Sequence, residues 1–142
     1  MISENESTEL VLALQRASHV TQRALATRLA DDKLTASEIN VLANLADGQF
    51  RSVTDLATVA GTKPTTLTSI LDRLTKRGYL GREVDLGDRR SLVVHLTPEG
   101  AAVAARAQAA TAEVGQESTG SLSKADLTGF MNVARALGEG PK

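Results

Sequence analysis

The stretch that decides the fold of this chain is residues 63–78, with the sequence KPTTLTSILDRLTKRG. Pro64 suits the first turn of a helix, where its missing N–H costs no hydrogen bond, and Thr62 is a suitable N-cap. Gly78 suits the left-handed residue that ends many helices. Apolar residues at three- and four-residue steps predict one buried face: Leu67, Ile70, Leu71 and Leu74.

The opposite face of this predicted helix is polar. Short hydroxyl side chains lie near its start: Thr65, Thr66, Thr68 and Ser69. Arg73 follows and can reach further outward. Hydroxyl groups let a helix approach bases and phosphates closely, and arginine hydrogen-bonds to both. The pattern is typical of a DNA-recognition helix, although an ordinary capped surface helix carries a similar face.

Two predicted strands follow the helix, at residues 79–84 and 91–96. Alternating apolar residues predict that one face of this hairpin is buried: Val84, Leu92, Val94 and Leu96. The hairpin directly follows a candidate recognition helix. That order predicts a wing, an element that contacts DNA beside the helix.

The loop of the hairpin, residues 85–90, is charged and places Arg89 and Arg90 at its tip. Arginine at such a tip can enter the minor groove, where the potential is most negative. Asp85 or Asp88 can orient the guanidinium by charge-assisted hydrogen bonds. A solvated polar turn is the alternative interpretation of this loop.

Upstream, residues 54–61 predict a short helix that begins at an N-cap, Thr54, and ends at Gly61. With the turn and the helix from Lys63 it forms a helix-turn-helix. The predicted fold class is mostly α with a small β-hairpin wing. A winged helix-turn-helix region at 35–96 lies within a single domain, 1–142.

The remaining helices are predicted from periodicity and capping residues. The pair Thr35 and Glu38 has the spacing of a capping box and predicts a helix to about residue 46. Residues 49–52 are then predicted to form an extended connection or a short edge strand. Polar residues at 115–121 predict a break, and Ser123 predicts the cap of a last helix.

The terminal helices, at 4–30 and 98–137, carry more apolar surface than the small central unit can cover. Self-association as a two-fold dimer is the most economical solution, and folding back within one monomer is the alternative. A dimer carries two recognition helices. Its operator is then expected to be roughly palindromic, with half-sites about 10 bp apart.

Composition predicts a soluble globular protein, and the absence of cysteine fits the cytoplasm. The formal net charge is −1, but residues 51–90 carry eight Lys and Arg against five Asp and Glu, so basic charge is concentrated where DNA contact is predicted. The chain has no cysteine, two histidines and no run long enough to span a membrane. We therefore expect no metal, no cofactor and no membrane association. The sequence contains no nucleophile motif and no phosphate-binding loop that would suggest an enzyme.

Several segments together resemble the MarR (multiple antibiotic resistance regulator) family of winged helix-turn-helix regulators. They are LDRLTKRGYL at 71–80, Arg82, DLGDRR at 85–90 and LTPEG at 96–100. The family's wing pattern is often Asp-x-Arg-Asp-x-Arg, and here Gly87 replaces the first arginine. The resemblance implies a homodimer paired through its first and last two helices, bound to double-stranded DNA.

The side chains predicted to bind DNA lie on the recognition helix and the wing: Lys63, Thr65, Thr66, Thr68, Ser69, Arg73, Asp88, Arg89 and Arg90. Arg51 and Arg77 are secondary candidates for phosphate contact. The expected function is a repressor of a roughly palindromic operator. A winged-helix protein-interaction module or adaptor without specific DNA binding is the alternative.

The resemblance also implies a cleft for a small anionic aromatic effector, which releases the repressor from DNA. Arg16, His19 and Arg23 fall within one wedge of the first predicted helix and are candidates to receive the effector's carboxylate. A solvated, helix-favouring stripe is the alternative interpretation of these residues.

Overall fold

Six α-helices and a three-stranded sheet make up residues 1–85, 87 and 92–139, the part of the chain that a computed structural model describes. The helices are α1 (Glu4–Arg28), α2 (Ala36–Leu45), α3 (Val53–Ala60), α4 (Pro64–Lys76), α5 (Pro98–Thr119) and α6 (Lys124–Gly138). The strands are β1 (Arg51–Ser52), β2 (Leu80–Val84) and β3 (Leu92–Leu96), and a 3₁₀ turn spans Ala30–Asp32. The winged helix-turn-helix prediction is confirmed.

The sheet is antiparallel, with β3 between β1 and β2, so the predicted strand near residue 50 is an edge strand. Val94 is fully buried at its centre. Val84 and Leu92 pair with each other at the far end of the hairpin and are 50% and 46% exposed. The prediction of a wholly buried face was wrong for these two residues, because the hairpin extends beyond the helices that cover its base.

Two of the predicted helix caps are confirmed, and two lie elsewhere. Thr35 and Ser123 each form a capping box. The cap of α3 is Ser52, whose hydroxyl accepts from the N–H of Asp55, because the chain passes directly from β1 into the helix. At α4 the cap position is Lys63, without a side-chain hydrogen bond, and not the predicted Thr62.

Glycine ends α3 and follows α4 as predicted. Gly61 and Gly78 have φ values of +67° and +82°, which other residues adopt only with strain. The predicted break at 115–121 exists but begins only at Gly120, because α5 continues through Gly115 to Thr119. One glycine costs a helix only about 1 kcal/mol relative to alanine, and the alanines before it favour the helix.

The core lies where α2 packs against α1, α3 and α5. Its largest fully buried side chains are aliphatic: Ile39, Val41, Leu42, Leu45, Leu56, Leu67, Leu71, Leu74 and Val94. α6 contributes no buried residue, and its large apolar side chains stay exposed. The described helices include none with the length and hydropathy needed to cross a membrane.

Candidate nucleic-acid interface

The outward face of α4 carries the predicted recognition side chains. Burial of Leu67, Ile70, Leu71 and Leu74 fixes the rotation of the helix, and the six side chains on the other side are exposed: Lys63, Thr65, Thr66, Thr68, Ser69 and Arg73. The hydroxyl of Thr68 donates to the carbonyl of Pro64 at 2.9 Å. Its oxygen therefore remains free to accept a hydrogen bond.

Arg73 lies beside a buried carboxylate. Its Nε is 3.9 Å from Oε2 of Glu38, and the Arg73 side chain is 51% exposed whereas that of Glu38 is 5% exposed. Glu38 also accepts from the N–H of Thr35 at 2.8 Å, within the capping box of α2. The pair links α2 to α4 and restrains the arginine while half of its surface faces outward.

The wing is attached to α4 by two polar contacts. Arg82 of β2 donates to Asp72 at 2.6 Å, and the Thr97 hydroxyl donates to the carbonyl of Gly78 at 2.6 Å. These contacts set the angle between recognition helix and hairpin. Asp72, Arg82 and Thr97 were not among the predicted site residues, although all three stand within the segments that carried the family resemblance.

The tip of the wing carries the predicted minor-groove arginines. Asp88, Arg89 and Arg90 lie outside the described residues. Asp85 accepts from the N–H of Gly87 at 2.9 Å, which closes a turn two residues long. One oxygen of the Asp85 carboxylate is therefore engaged in this turn.

The two secondary candidates for phosphate contact make contacts within the chain. Arg77 donates to the carbonyls of Lys33 at 2.9 Å and Asp32 at 2.5 Å, and its guanidinium lies 5.0 Å from the ring centre of Tyr79. Arg51 donates to the carbonyl of Asn44 at 3.2 Å and to Asp47 at 3.0 Å. Both arginines fix loops around the helix-turn-helix.

Asp32 joins three parts of the molecule, a role that its sequence context did not indicate. Its carboxylate accepts from Nε and from a terminal nitrogen of Arg106 on α5, at 3.2 Å and 2.7 Å. Its backbone carbonyl accepts from Arg77, the residue that ends α4. The hydrogen bond from Arg106 holds the pKa of Asp32 below its usual value, despite opposing desolvation. The residue thus connects a terminal helix to the recognition helix.

A cavity of about 530 Å³ lies between α1, α2 and the turn that joins α3 to α4. Its α1 wall consists of Ser18, Thr21, Gln22 and Leu25. The predicted effector residues, Arg16, His19 and Arg23, are exposed and lie on the other side of α1, so they do not line this cavity. No contact brings their side chains together within the described part of the chain.

Comparison with known proteins gives concordant results. A model of the MarR family matches residues 34–92, from the start of the α2 region to the first residue of β3. The transcriptional regulator PecS of Dickeya dadantii is 38% identical over 93 residues, which are 63% of this chain and 56% of PecS. The repressor NicR of Pseudomonas putida is 28% identical over 131 residues, 92% of this chain and 83% of NicR. Over residues 34–92 the chain is similar to the MarR family.

Solved structures give the same MarR-family fold over nearly the whole chain. BpsR of Bordetella bronchiseptica, described with regulation of its DNA binding by 6-hydroxynicotinic acid, has a TM-score of 0.74 and 26% identity, and covers 91% of this chain and 92% of its own. A mutant MarR from E. coli in complex with operator DNA scores 0.75 at 23% identity, covering 96% and 99%. NadR with 4-hydroxyphenylacetate scores 0.79 at 22%, covering 92% of each chain. At these identities the last two likenesses show the fold alone.

The match to PecS spans only about half of that protein's length, 56%. The sequence match to the family model covers the helix-turn-helix and the first wing strand, which is the part of this chain that carries the exposed face of α4. The terminal helices match through the fold of the structures, which extends over α1, α5 and α6.

Proposed function

We propose that this protein is a sequence-specific DNA-binding transcription regulator that acts as a homodimeric repressor. The observation that carries the proposal is the exposed polar face of α4, held beside a hairpin wing in a chain that matches the MarR family model over residues 34–92. PecS is named a transcriptional regulator, NicR is named a transcriptional repressor, and the mutant E. coli MarR is bound to operator DNA, which supports the proposal. We also propose that the protein catalyses no reaction. We propose the cytoplasm as the compartment in which it acts.

In this proposal α4 enters the major groove. Thr65, Thr66 and Ser69 lie near the start of the helix, where short side chains permit close approach to base edges, and Lys63 meets a phosphate. Arg73 reaches a base edge with its exposed half. Its contact with Glu38 restrains the guanidinium, which lowers the entropy lost on binding.

The wing lies over the neighbouring minor groove. Arg89 and Arg90 contact it, and Asp88 orients one of them through a charge-assisted hydrogen bond. The ion pair between Arg82 and Asp72 keeps the hairpin at a fixed angle to α4, so both elements engage one duplex together.

We further propose that α1, α5 and α6 form the dimer, with a second copy of the chain as the partner that covers α6. Leu127, Phe130 and Met131 are each about half exposed, at 60%, 53% and 48%. Phe130 lines a groove of about 350 Å³ whose α1 side consists of Leu10, Ala13, Leu14 and Ala17. Apolar surface of this kind on terminal helices is what a two-fold interface buries.

A small molecule that binds between the terminal helices and the helix-turn-helix releases the repressor. The cavity walls come from α1 and α5 on one side and from α2 and the α3–α4 turn on the other. A ligand there changes the separation of the two recognition helices, and a dimer whose helices no longer match one DNA turn loses both half-sites together. The reported responses of BpsR to 6-hydroxynicotinic acid support this mechanism.

The proposal is tested by fluorescence anisotropy with the purified chain and the DNA upstream of its own gene, titrated with salt against random competitor duplex. We expect competitor-resistant binding whose affinity falls steeply as salt rises, because phosphate contacts release counterions. A protein-interaction adaptor would bind neither duplex at any salt concentration, and that result would refute the proposal once a selection from random duplexes also fails.

A further inference from the structure

The end of the recognition helix α4 is fastened to the turn between α1 and α2. Arg77, the residue that ends α4, donates to two successive backbone carbonyls, those of Asp32 at 2.5 Å and Lys33 at 2.9 Å. Lys33 has a φ of +52° and is the one non-glycine residue with positive φ in the described part of the chain. This conformation is uncommon for lysine and persists only where the surrounding structure determines it. The turn that receives Arg77 therefore has a fixed shape.

The same turn is fastened to α5. The carboxylate of Asp32 accepts from Nε of Arg106 at 3.2 Å and from a terminal nitrogen of that arginine at 2.7 Å, one bond to each oxygen. Two parallel bonds between a guanidinium and a carboxylate fix direction as well as distance. The side chain of Arg106 is 52% exposed, so the pair stabilises the fold only slightly and can be removed without unfolding the chain.

α5 also contacts the end of α4 directly, at its own first turn. Thr97, the N-cap of α5, donates its hydroxyl to the carbonyl of Gly78 and its N–H to the carbonyl of Tyr79. Gly100 lies so close that a Cβ there would be 1.9 Å from the Tyr79 oxygen. Thr97 and Arg106 are nine residues apart, which is about 13 Å along a helix. α5 is thus joined to the end of α4 at two separated points.

One attachment allows a helix to tilt, whereas two separated attachments fix its angle. The buried face of α4 sets the rotation of the helix about its own axis, but apolar contacts are non-directional and permit a small tilt. α4 has 13 residues, so its first turn lies about 20 Å from the joint at its end. A tilt of about 5° moves that first turn by about 1.7 Å, several times the range of about 0.5 Å over which a hydrogen bond keeps its length.

We propose that the Asp32–Arg106 pair is a positioning contact that holds the two recognition helices of the dimer at the separation of one DNA turn. The pair fixes the turn that receives Arg77, and through it the angle between α4 and the dimer helix α5. Without the pair, each α4 still reads a half-site, but the two helices are no longer held ready for both half-sites together. This inference rests on the proposed function, because it deepens the reading of a two-fold site by α4.

The test is fluorescence anisotropy of the full chain with two duplexes, the operator obtained by selection and the same duplex with one half-site scrambled. Wild type should prefer the two-site duplex by about 100-fold, because one dimer binds both half-sites. Asp32→Asn and Arg106→Gln should each lower affinity for the two-site duplex about tenfold, since ordering the loosened helices opposes binding. Affinity for the one-site duplex should stay within about twofold of wild type.

The sign of the effect separates positioning from charge. Asp32→Asn removes a negative charge, so electrostatics alone would strengthen DNA binding, whereas the positioning role predicts a loss. Asp31→Asn removes the same charge from the neighbouring exposed residue and, as the matched control, should weaken neither duplex. The double variant Asp32→Asn with Arg106→Gln should lose no more affinity than either single variant, because both break one contact.

Circular dichroism and analytical ultracentrifugation should show that each variant is folded and dimeric. If Arg106→Gln fails to fold, Arg106→Lys keeps the charge without the planar fork of two nitrogens and should show the same selective loss. Equal losses on the two duplexes, or no loss on the two-site duplex, overturn the positioning role.

The wild-type chain separates failure of this inference from failure of the proposed function. If selection with wild type enriches no operator, the repressor assignment falls and the positioning role falls with it. If wild type prefers the two-site duplex and the folded variants keep that preference, only the positioning role falls.

Discussion

Single residues in this protein act mainly through partners that are distant in sequence. Asp32 and Arg106 are 74 residues apart, and no local pattern marks either of them as a member of a pair. The capping box of Thr35 and Glu38 was predictable because its partners are three residues apart, whereas the approach of Arg73 to Glu38 depends on how α2 crosses α4. Residue pairs within one helical turn could be predicted from sequence, and tertiary pairs could not.

Replacement of Asp32 by Asn should lower the free energy of unfolding by about 1 kcal/mol at pH 7. The value is small because Arg106 is half exposed and solvent screens the pair. The folded-state pKa of Asp32 is depressed, so its contribution is present above the unfolded pKa of about 3.8 and is lost as pH falls through the folded value. Urea unfolding at pH 7 and in acid should show the difference from wild type shrinking in acid.

Asp31→Asn is the matched control, since Asp31 is exposed and has no ion pair among the described residues. An equal effect of the two substitutions on the free energy of unfolding would show that the Asp32–Arg106 ion pair does not stabilise the fold. A difference between Asp32→Asn and wild type that stays constant as the pH falls would show the same.

Arg73→Ala should weaken the cognate site by about 1–3 kcal/mol and random DNA by less, as expected for a lost base contact. Glu38 keeps its hydrogen bond from the Thr35 N–H, so the variant should remain folded. Competition binding with operator and random duplexes measures the two losses. Equal losses would mean that Arg73 touches only phosphate.

At the scale of elements, the sequence predicted which helices and strands exist better than where they begin. Hydroxyl residues stand at several neighbouring positions, and composition alone does not choose Ser52 over Thr54 as the cap of α3. The alternation of apolar residues along the hairpin could be predicted from the sequence. How far the helices cover the hairpin could not, so Val84 and Leu92 were wrongly assigned to the buried face. The cavity proposed for the effector is lined by residues of five helices, and only its presence could be expected in advance, from the family resemblance.

The wing makes a prediction of its own. Arg90→Ala should weaken binding to operator and random DNA alike and leave the dimer intact. The salt dependence of the affinity should fall by about the amount that one phosphate contact contributes. Anisotropy at several salt concentrations, with size-exclusion chromatography for the dimer, measures this. Unchanged affinity at moderate salt would exclude the tip arginine from the interface.

At the scale of the whole molecule, we propose that a second copy of the chain covers the exposed apolar side chains of α6. Phe130→Glu places a charge among the exposed apolar side chains of α6, so the dimer should dissociate and affinity for a two-site operator should collapse. Analytical ultracentrifugation gives the mass. Asn132→Glu adds the same charge on another face of α6 and should leave the dimer intact. A Phe130→Glu variant that remains dimeric would place the interface elsewhere.

The central claim is that two copies of this chain read a two-fold DNA site with α4. Selection from a random duplex library, followed by titration of the enriched sequence, tests it most directly. We expect the selection to enrich a roughly palindromic sequence with half-sites about 10 bp apart. The dimer should bind that sequence about 10³-fold or more tightly than random DNA. No enrichment by a folded dimer, at salt low enough to permit phosphate contacts, would contradict it.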